Sequence, residues 1–301
     1  MMNLKVNIAG VEFENPVTTA SGTFGYGREY AQFIDLNRLG GISVKGVSNT
    51  PWKGNPPPRI METNGGMLNS VGLQNPGVDY FIEHEISFLR QYSTKIIVNA
   101  CGHSVEEYEA VCEKLNEADI DVVELNISCP NVYEGGKAFG QDIDAVNLVV
   151  SRSKAKLTKK PLMVKLSPNV TDIASIAKAA ESAGADALSL INTLIGMKID
   201  IYKRQTPFKN KVAGLSGPSI KPVALRMVYQ TAKAVQIPIL GMGGISTGED
   251  AIEFMMAGAR AIAVGTANFV NPKASANVLA EMEAFMDREG IKDINEIVGV
   301  V

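Results

Sequence analysis

Eight short apolar runs punctuate this chain, and nearly every one is followed by a stretch with helical periodicity. They are Val17–Ala20, Ile42–Lys45, Lys95–Asn99, Val122–Asn126, Leu162–Lys165, Ala187–Asn192, Pro238–Met242 and Ala261–Val264. Where nothing is inserted they lie roughly 25 residues apart, enough for a strand, a returning helix and two turns. The helical stretches are Gly77–Tyr92, a segment opened by Ser104 with Glu107 and reaching Ala118, Ile143–Leu157, a helix capped by Thr171 and stopped by Gly184, Ile220–Val235, and one capped by Ser246 with Glu249. Apolar strands alternating with helices require a parallel sheet buried on both faces. Eight such units point to a closed α/β architecture, the (β/α)8 or TIM barrel. A β-hairpin, Lys5–Ile8 and Val11–Phe13 around Ala9-Gly10, precedes the first unit and could plug the barrel floor. A doubly wound open sheet is the competing architecture, but no G-x-G-x-x-G follows the first strand. Two long inserts, an irregular one from Gly46 to Pro76 and one from Asn192 through Gly217, fall at the carboxyl face of the barrel. The expected organisation is one domain, 1–301.

Bulk properties exclude several functions. A barrel of this kind accommodates 301 residues as one unit, and 46% hydrophobic with 20% charged residues supports a large core. A net charge of −3 gives no footprint for nucleic acid or an anionic membrane. No apolar run approaches the roughly 18 residues that span a bilayer, and the N-terminus lacks a signal-peptide core. The three cysteines, Cys101, Cys112 and Cys129, form neither a C-x-x-C pair nor a disulfide framework. A reduced, cytoplasmic protein is the economical expectation.

Chemistry in such a barrel sits where the strands end. Here five consecutive strands end in a polar residue: Lys45, Asn99, Asn126, Lys165 and Asn192. One such residue marks only a strand meeting water; five around one rim imply a ligand. Two lysines ending apolar strands need an anion or an aqueous mouth. Glu124, in phase with Asn126, could neutralise one of them, and the other then asks for an anionic ligand. Asparagines supply donors and acceptors that suit a planar ring edged with carbonyl and N–H groups. After the seventh and eighth strands, Gly241-Met242-Gly243-Gly244 and Val264-Gly265-Thr266 match a backbone phosphate site beside a helix N-terminus. Cys129 follows the central strand in a polar loop, ahead of Pro130, which holds it extended. The alternative for Cys129 is a small buried hydrophobe. Cys112, His84 and His103 read as structural, and Lys154, Lys156, Lys159 and Lys160 as a solvated helix end. No Ser-His-Asp set, carboxylate pair or metal cluster stands out, which leaves Cys129 as the acid–base group. An ordinary thiol, with a pKa of about 8.5, would make activity rise with pH.

Several longer runs then carry a family resemblance: Ala20-Ser21-Gly22-Thr23-Phe24-Gly25-Tyr26-Gly27, Gly54-Asn55-Pro56-Pro57-Pro58-Arg59, Asn69 to Gly77, Asn126-Ile127-Ser128-Cys129-Pro130-Asn131, Val164-Lys165-Leu166-Ser167-Pro168, Gly214-Leu215-Ser216-Gly217 and Gly241-Met242-Gly243-Gly244-Ile245. Nearly the whole chain resembles family 1 dihydroorotate dehydrogenases, specifically the catalytic subunit of the NAD-linked 1B type. The resemblance implies an FMN-containing barrel that oxidises dihydroorotate to orotate in pyrimidine synthesis. It makes Cys129 the base for the C5 proton, with Lys45 and Lys165 beside the flavin and substrate. Asn69, Val71, Gly72, Leu73, Asn131, Asn192 and Thr193 would contact the substrate, and Asn126 both ring systems. Ser21, Gly46, Asn99, Ile191 and Gly217 would line the FMN, whose phosphate would lie at Gly243, Gly244, Gly265 and Thr266. The same resemblance implies a homodimer assembled with an iron–sulfur flavoprotein into a heterotetramer. FAD and [2Fe–2S] would belong to that partner, because three scattered cysteines cannot supply four cluster thiolates. Competing readings are a 1A-type homodimer using fumarate, a phosphate-binding barrel lyase with Lys165 as Schiff base, and a non-catalytic metabolite-binding barrel. The apolar Ile291–Val301 end fits an interface or a satellite of the core equally well.

Overall fold

The computed structural model describes residues 2–128, 133–134 and 137–301. Cys129 and Asn131 lie outside the described residues. Among those described, eight parallel strands close into a barrel: β1 (Val17–Thr19), β2 (Gly41–Ser43), β3 (Lys95–Ala100), β4 (Val122–Asn126), β5 (Leu162–Lys165), β6 (Ala187–Leu190), β7 (Ile239–Met242) and β8 (Ala261–Val264). Each pairs with its neighbours in sequence, and β8 closes on β1. The strands are buried on both faces because helices cover the outside, which explains their continuous apolar character. Beneath the barrel, Val6–Ile8 and Val11–Phe13 pair as the expected hairpin, with Ala9 and Gly10 both at positive φ in its turn. Val6, Ile8 and Phe13 are buried, and Phe13 lies against Gly41 at the start of β2, so the hairpin does seal the floor. At the other end of the chain Ile294 and Ile297 are buried in the same core, whereas Val300 and Val301 are exposed.

The inserts are more ordered than their composition suggests. The segment expected to be irregular contributes Ile60–Thr63 and Gly66–Asn69, and the second insert contributes Leu194–Met197 and Val212–Ser216. These four strands form one antiparallel sheet, with Val212–Ser216 pairing Gly66–Asn69 across the two inserts. Leu68, Phe208 and Ala213 give it a small core of its own.

Local departures from the sequence-based boundaries have identifiable causes. The helix expected over Gly77–Tyr92 is two, Val78–His84 and Ile86–Leu89. At the break, Arg28 takes both the buried Glu85 carboxylate (2.7 Å) and the His84 carbonyl (2.8 Å). Asp172 rather than Thr171 caps the helix Ile173–Ser182, because its carboxylate accepts from the Ala174 and Ser175 amides together. Likewise Thr247 and Asp250, not Ser246 and Glu249, form the capping box of Gly248–Met256. Lys45 and Asn192 fall just past β2 and β6 rather than within them. The described part of the chain contains no helix long and apolar enough to cross a membrane.

Candidate active site

A cavity of about 330 Å³ opens at the carboxyl ends of the strands, beneath the four-stranded sheet. Every described residue expected at the site lines it. Ser21, Lys45, Gly46, Asn99, Asn126, Lys165, Ile191, Asn192 and Thr193 come from strand ends and the turns that follow them. Asn69, Val71, Gly72 and Leu73 come from the first insert, Gly217 from the second, and Gly243, Gly244, Gly265 and Thr266 from the last two strand ends.

One side of the cavity is built from side chains. Register places Asn99 of β3 opposite Glu124 of β4, and Lys165 of β5 opposite both Asn126 of β4 and Ser189 of β6. Glu124 is 0% exposed and Lys165 4%, so both charges need partners. The Lys165 Nζ lies 3.8 Å from a Glu124 carboxylate oxygen and 3.1 Å from Ser21 Oγ. Glu124 is therefore the counter-ion that the strand phase suggested. The same carboxylate accepts from Ser189 Oγ at 2.7 Å and from Asn99 Nδ2 at 2.6 Å. Asn126 Nδ2 donates to Asn99 Oδ1 at 3.2 Å, and Ser128 Oγ donates to Asn126 Oδ1 at 2.7 Å. Ser128 in turn accepts from Asn192 Nδ2 at 2.5 Å.

The opposite side is built from main chain. Gly243 and Gly244 hold φ of 128° and 85°, conformations that L side chains rarely adopt. A Cβ on Gly243 would come within 2.7 Å of Ala224 Cβ, and one on Gly244 within 2.8 Å of Lys221 Cβ. Gly265 differs: a Cβ there would meet Ala20 Cβ at 3.4 Å and Thr23 Cγ2 at 3.9 Å, ordinary van der Waals contacts, so packing does not crowd this position. Asp250 braces the glycine turn, accepting from the Ser246 and Thr247 amides at 2.8 and 3.0 Å and from Lys221 Nζ at 2.7 Å. Burial works to raise its pKa, but Lys221 and the two amides outweigh that and hold it below the usual carboxylate range. Lys221 is raised in return, chiefly by its hydrogen bond to Asp250.

The histidines keep to the structural roles expected of them. His103 stacks on Trp52 at 3.9 Å, and His84 on Tyr80 at 4.4 Å. Cys112 is core, and burial pushes its thiol up to about 12. Lys154, Lys156 and Lys159 pair with Asp186, Glu113 and Glu117 on neighbouring elements. Sequence reasoning passed over Ser128 and Ser189, which complete the polar network. Their signal was a hydroxyl in phase with the inward polar residues, as in Ala187-Leu188-Ser189-Leu190. Met67, Ile195 and Phe269 also line the cavity and carried no signal beyond hydrophobicity.

Known proteins share this architecture and this sequence. The family model described as dihydroorotate dehydrogenase matches residues 3–286. A protein of Alkaliphilus metalliredigens, named dihydroorotate dehydrogenase B (NAD(+)), catalytic subunit, is 63% identical over 298 residues, 99% of this chain and 98% of its own length. A protein of the same name from Lachnoclostridium phytofermentans is 61% identical over 300 residues and the full length of both. The crystal structure of DHODH in complex with ferulenol from Eimeria tenella superposes with a TM-score of 0.83, covering 99% of this chain and 88% of that one, at 23% identity. That likeness attests the barrel, and the family match spanning nearly all of the chain attests its descent: the chain belongs to the dihydroorotate dehydrogenase family.

Proposed function

We propose that this chain is the catalytic subunit of a type 1B, NAD-linked dihydroorotate dehydrogenase, oxidising (S)-dihydroorotate to orotate in pyrimidine biosynthesis. The observation that carries the reading is one cavity with two unlike walls: lysines and asparagines face a main-chain cradle of glycines. FMN fits that division. Gly243, Gly244, Gly265 and Thr266 would hold its phosphate through backbone N–H groups. Ser21, Gly46, Asn99, Ile191 and Gly217 would line its ring. When bound, FMN supplies the hydride acceptor for the substrate carbon C6.

The chain's own residues supply the rest. Lys45 and Lys165 place positive charge where the oxidation builds up negative charge. Asn69, Asn126, Asn131, Asn192 and Thr193, with the Val71–Leu73 turn, orient the substrate ring and hold its carboxylate. Cys129, as thiolate, takes the C5 proton. The lyase alternative loses ground because the dihydroorotate dehydrogenase family model matches residues 3–286.

The relatives are named as catalytic subunits, which supports a second subunit. We place FAD and [2Fe–2S] there, as the route to NAD, in a heterotetramer built on a dimer of this chain. The buried Cys101 and Cys112 suit a reducing compartment, the cytoplasm. The test is the visible spectrum of the purified protein before and after anaerobic dihydroorotate. A yellow flavin spectrum that bleaches is expected; a colourless protein that takes up no FMN overturns the reading.

A further inference from the structure

We propose that Glu124 is the positioning residue of this site: its carboxylate sets the sense of a hydrogen-bond relay that leaves Asn99 and Asn126 facing the cavity as donors only. A carboxamide is ambivalent, offering two N–H groups and two lone pairs, and by itself can read either kind of ligand edge. The relay removes that ambivalence one residue at a time. A carboxylate only accepts, and Glu124, fully buried, is met by Ser189 Oγ, Asn99 Nδ2 and the Lys165 ammonium. Asn99 must therefore turn its Nδ2 inward to Glu124, which directs its Oδ1 toward Asn126. That oxygen is then filled by Asn126 Nδ2 at 3.2 Å and the Cys101 thiol at 3.3 Å. Asn126 Nδ2 lies 3.9 Å from the same sulfur, so one of its N–H groups covers both contacts. Asn126 Oδ1 is filled in turn by Ser128 Oγ at 2.7 Å and Ser128 N at 3.3 Å.

The account for both residues is then closed on the acceptor side. Asn99 and Asn126 each line the cavity with both lone pairs used and one N–H to spare. Together with Lys45 and Lys165 they make a wall that rewards acceptor edges, carbonyl oxygen and carboxylate, and leaves an opposing amino group unpaired. Selectivity for an oxygen-edged ring thus originates in a carboxylate that never touches the ligand.

This inference rests on the reading of the cavity as an FMN and orotate site. The test compares holoenzyme and Glu124→Gln for binding of orotate and of its two analogues in which one ring carbonyl is replaced by an amino group, followed by the perturbation of the flavin spectrum. The wild type is expected to prefer orotate over the less tolerated analogue by about a hundredfold or more. In Glu124→Gln a glutamine can present either end, the relay can reverse, and the preference should shrink by about tenfold while FMN stays bound. A merely structural role for Glu124 would weaken orotate and analogues alike; an unchanged preference overturns the proposal. Should the variant lose FMN, neutron diffraction from wild-type crystals reads the relay directly, whichever ligand the cavity takes. Deuterium on Asn99 Nδ2 facing a bare Glu124 carboxylate is expected, whereas a deuterated Glu124 facing Asn99 Oδ1 overturns it. A wild type that binds neither FMN nor orotate would instead break the functional reading and leave the neutron result to judge the relay.

Discussion

From β3 round to β6 the cavity wall is made of side chains: Asn99, Asn126, Lys165 and Asn192, joined below the surface through Glu124, Ser128 and Ser189. From β7 to β8 it is made of main chain, at Gly243, Gly244 and Gly265, with Asp250 and Lys221 bracing the turn from behind. The two walls carry different costs. Buried side-chain charge must be compensated, so the first wall needs an interior counter-ion and a closed hydrogen-bond account. Exposed amides need none of that, but at Gly243 and Gly244 they demand backbone conformations and close contacts that a Cβ would spoil. On the proposed function, the comparison assigns turnover and ring recognition to the first wall and phosphate affinity to the second.

The strongest way to break this division is at the proposed base. Cys129→Ser should slow reduction of bound flavin by about 10²–10⁴-fold, the usual contribution of a general base, while FMN remains bound. Stopped-flow reduction at an unchanged rate would take Cys129 out of the chemistry. Lys165→Ala comes next, because it leaves the buried Glu124 carboxylate without the lysine beside it. Removing one partner of a buried pair costs about 3–5 kcal/mol, so urea unfolding should show a loss of that order. A loss below about 1 kcal/mol would mean that Lys165 and Glu124 are not coupled, and that Ser189 and Asn99 compensate the carboxylate without help.

On the other wall, Gly244→Ala should leave the barrel folded and weaken FMN about tenfold. Alanine at this φ costs about 1–2 kcal/mol, and its Cβ would press on Lys221 at 2.8 Å. Titration of apoprotein with FMN measures it, and an unaltered affinity would remove the glycine turn from phosphate binding. The smallest effect expected is at Asp250. Asp250→Asn should cost about 1 kcal/mol at neutral pH, as for a lost helix cap. Because the folded-state pKa of Asp250 lies below its unfolded value near 3.8, its contribution is complete above that value and fades as pH falls through the folded-state pKa. The gap between wild type and variant should therefore close under acid; a gap that persisted would point to packing rather than charge.

Much of this was readable before any coordinates. The polar strand ends Lys45, Asn99, Asn126, Lys165 and Asn192 are legible because strands alternate strictly, so an out-of-pattern polar residue declares both its face and its end of the barrel. Gly243, Gly244 and Gly265 are legible because glycine after a strand has few other uses. The caps were misplaced by one residue at Asp172 and Thr247, since adjacent polar residues compete for the same amides and only geometry selects between them. The sheet over the mouth was illegible. Gly214 pairs with Asn69 across 145 residues of chain, and no local period announces such a partner.

What the amino-acid order by itself determined is the eight-unit barrel, the rim that holds the cavity and the identity of almost every described residue expected there. Period and phase are local properties, and they survive without knowledge of neighbours. What only the tertiary structure decided is the sense in which those residues act. Asn99, Glu124 and Ser189 come from three different strands, and only the barrel brings their donors and acceptors within hydrogen-bonding distance. A carboxamide's orientation depends on those partners, because its two ends are nearly alike in shape and opposite in hydrogen-bonding character.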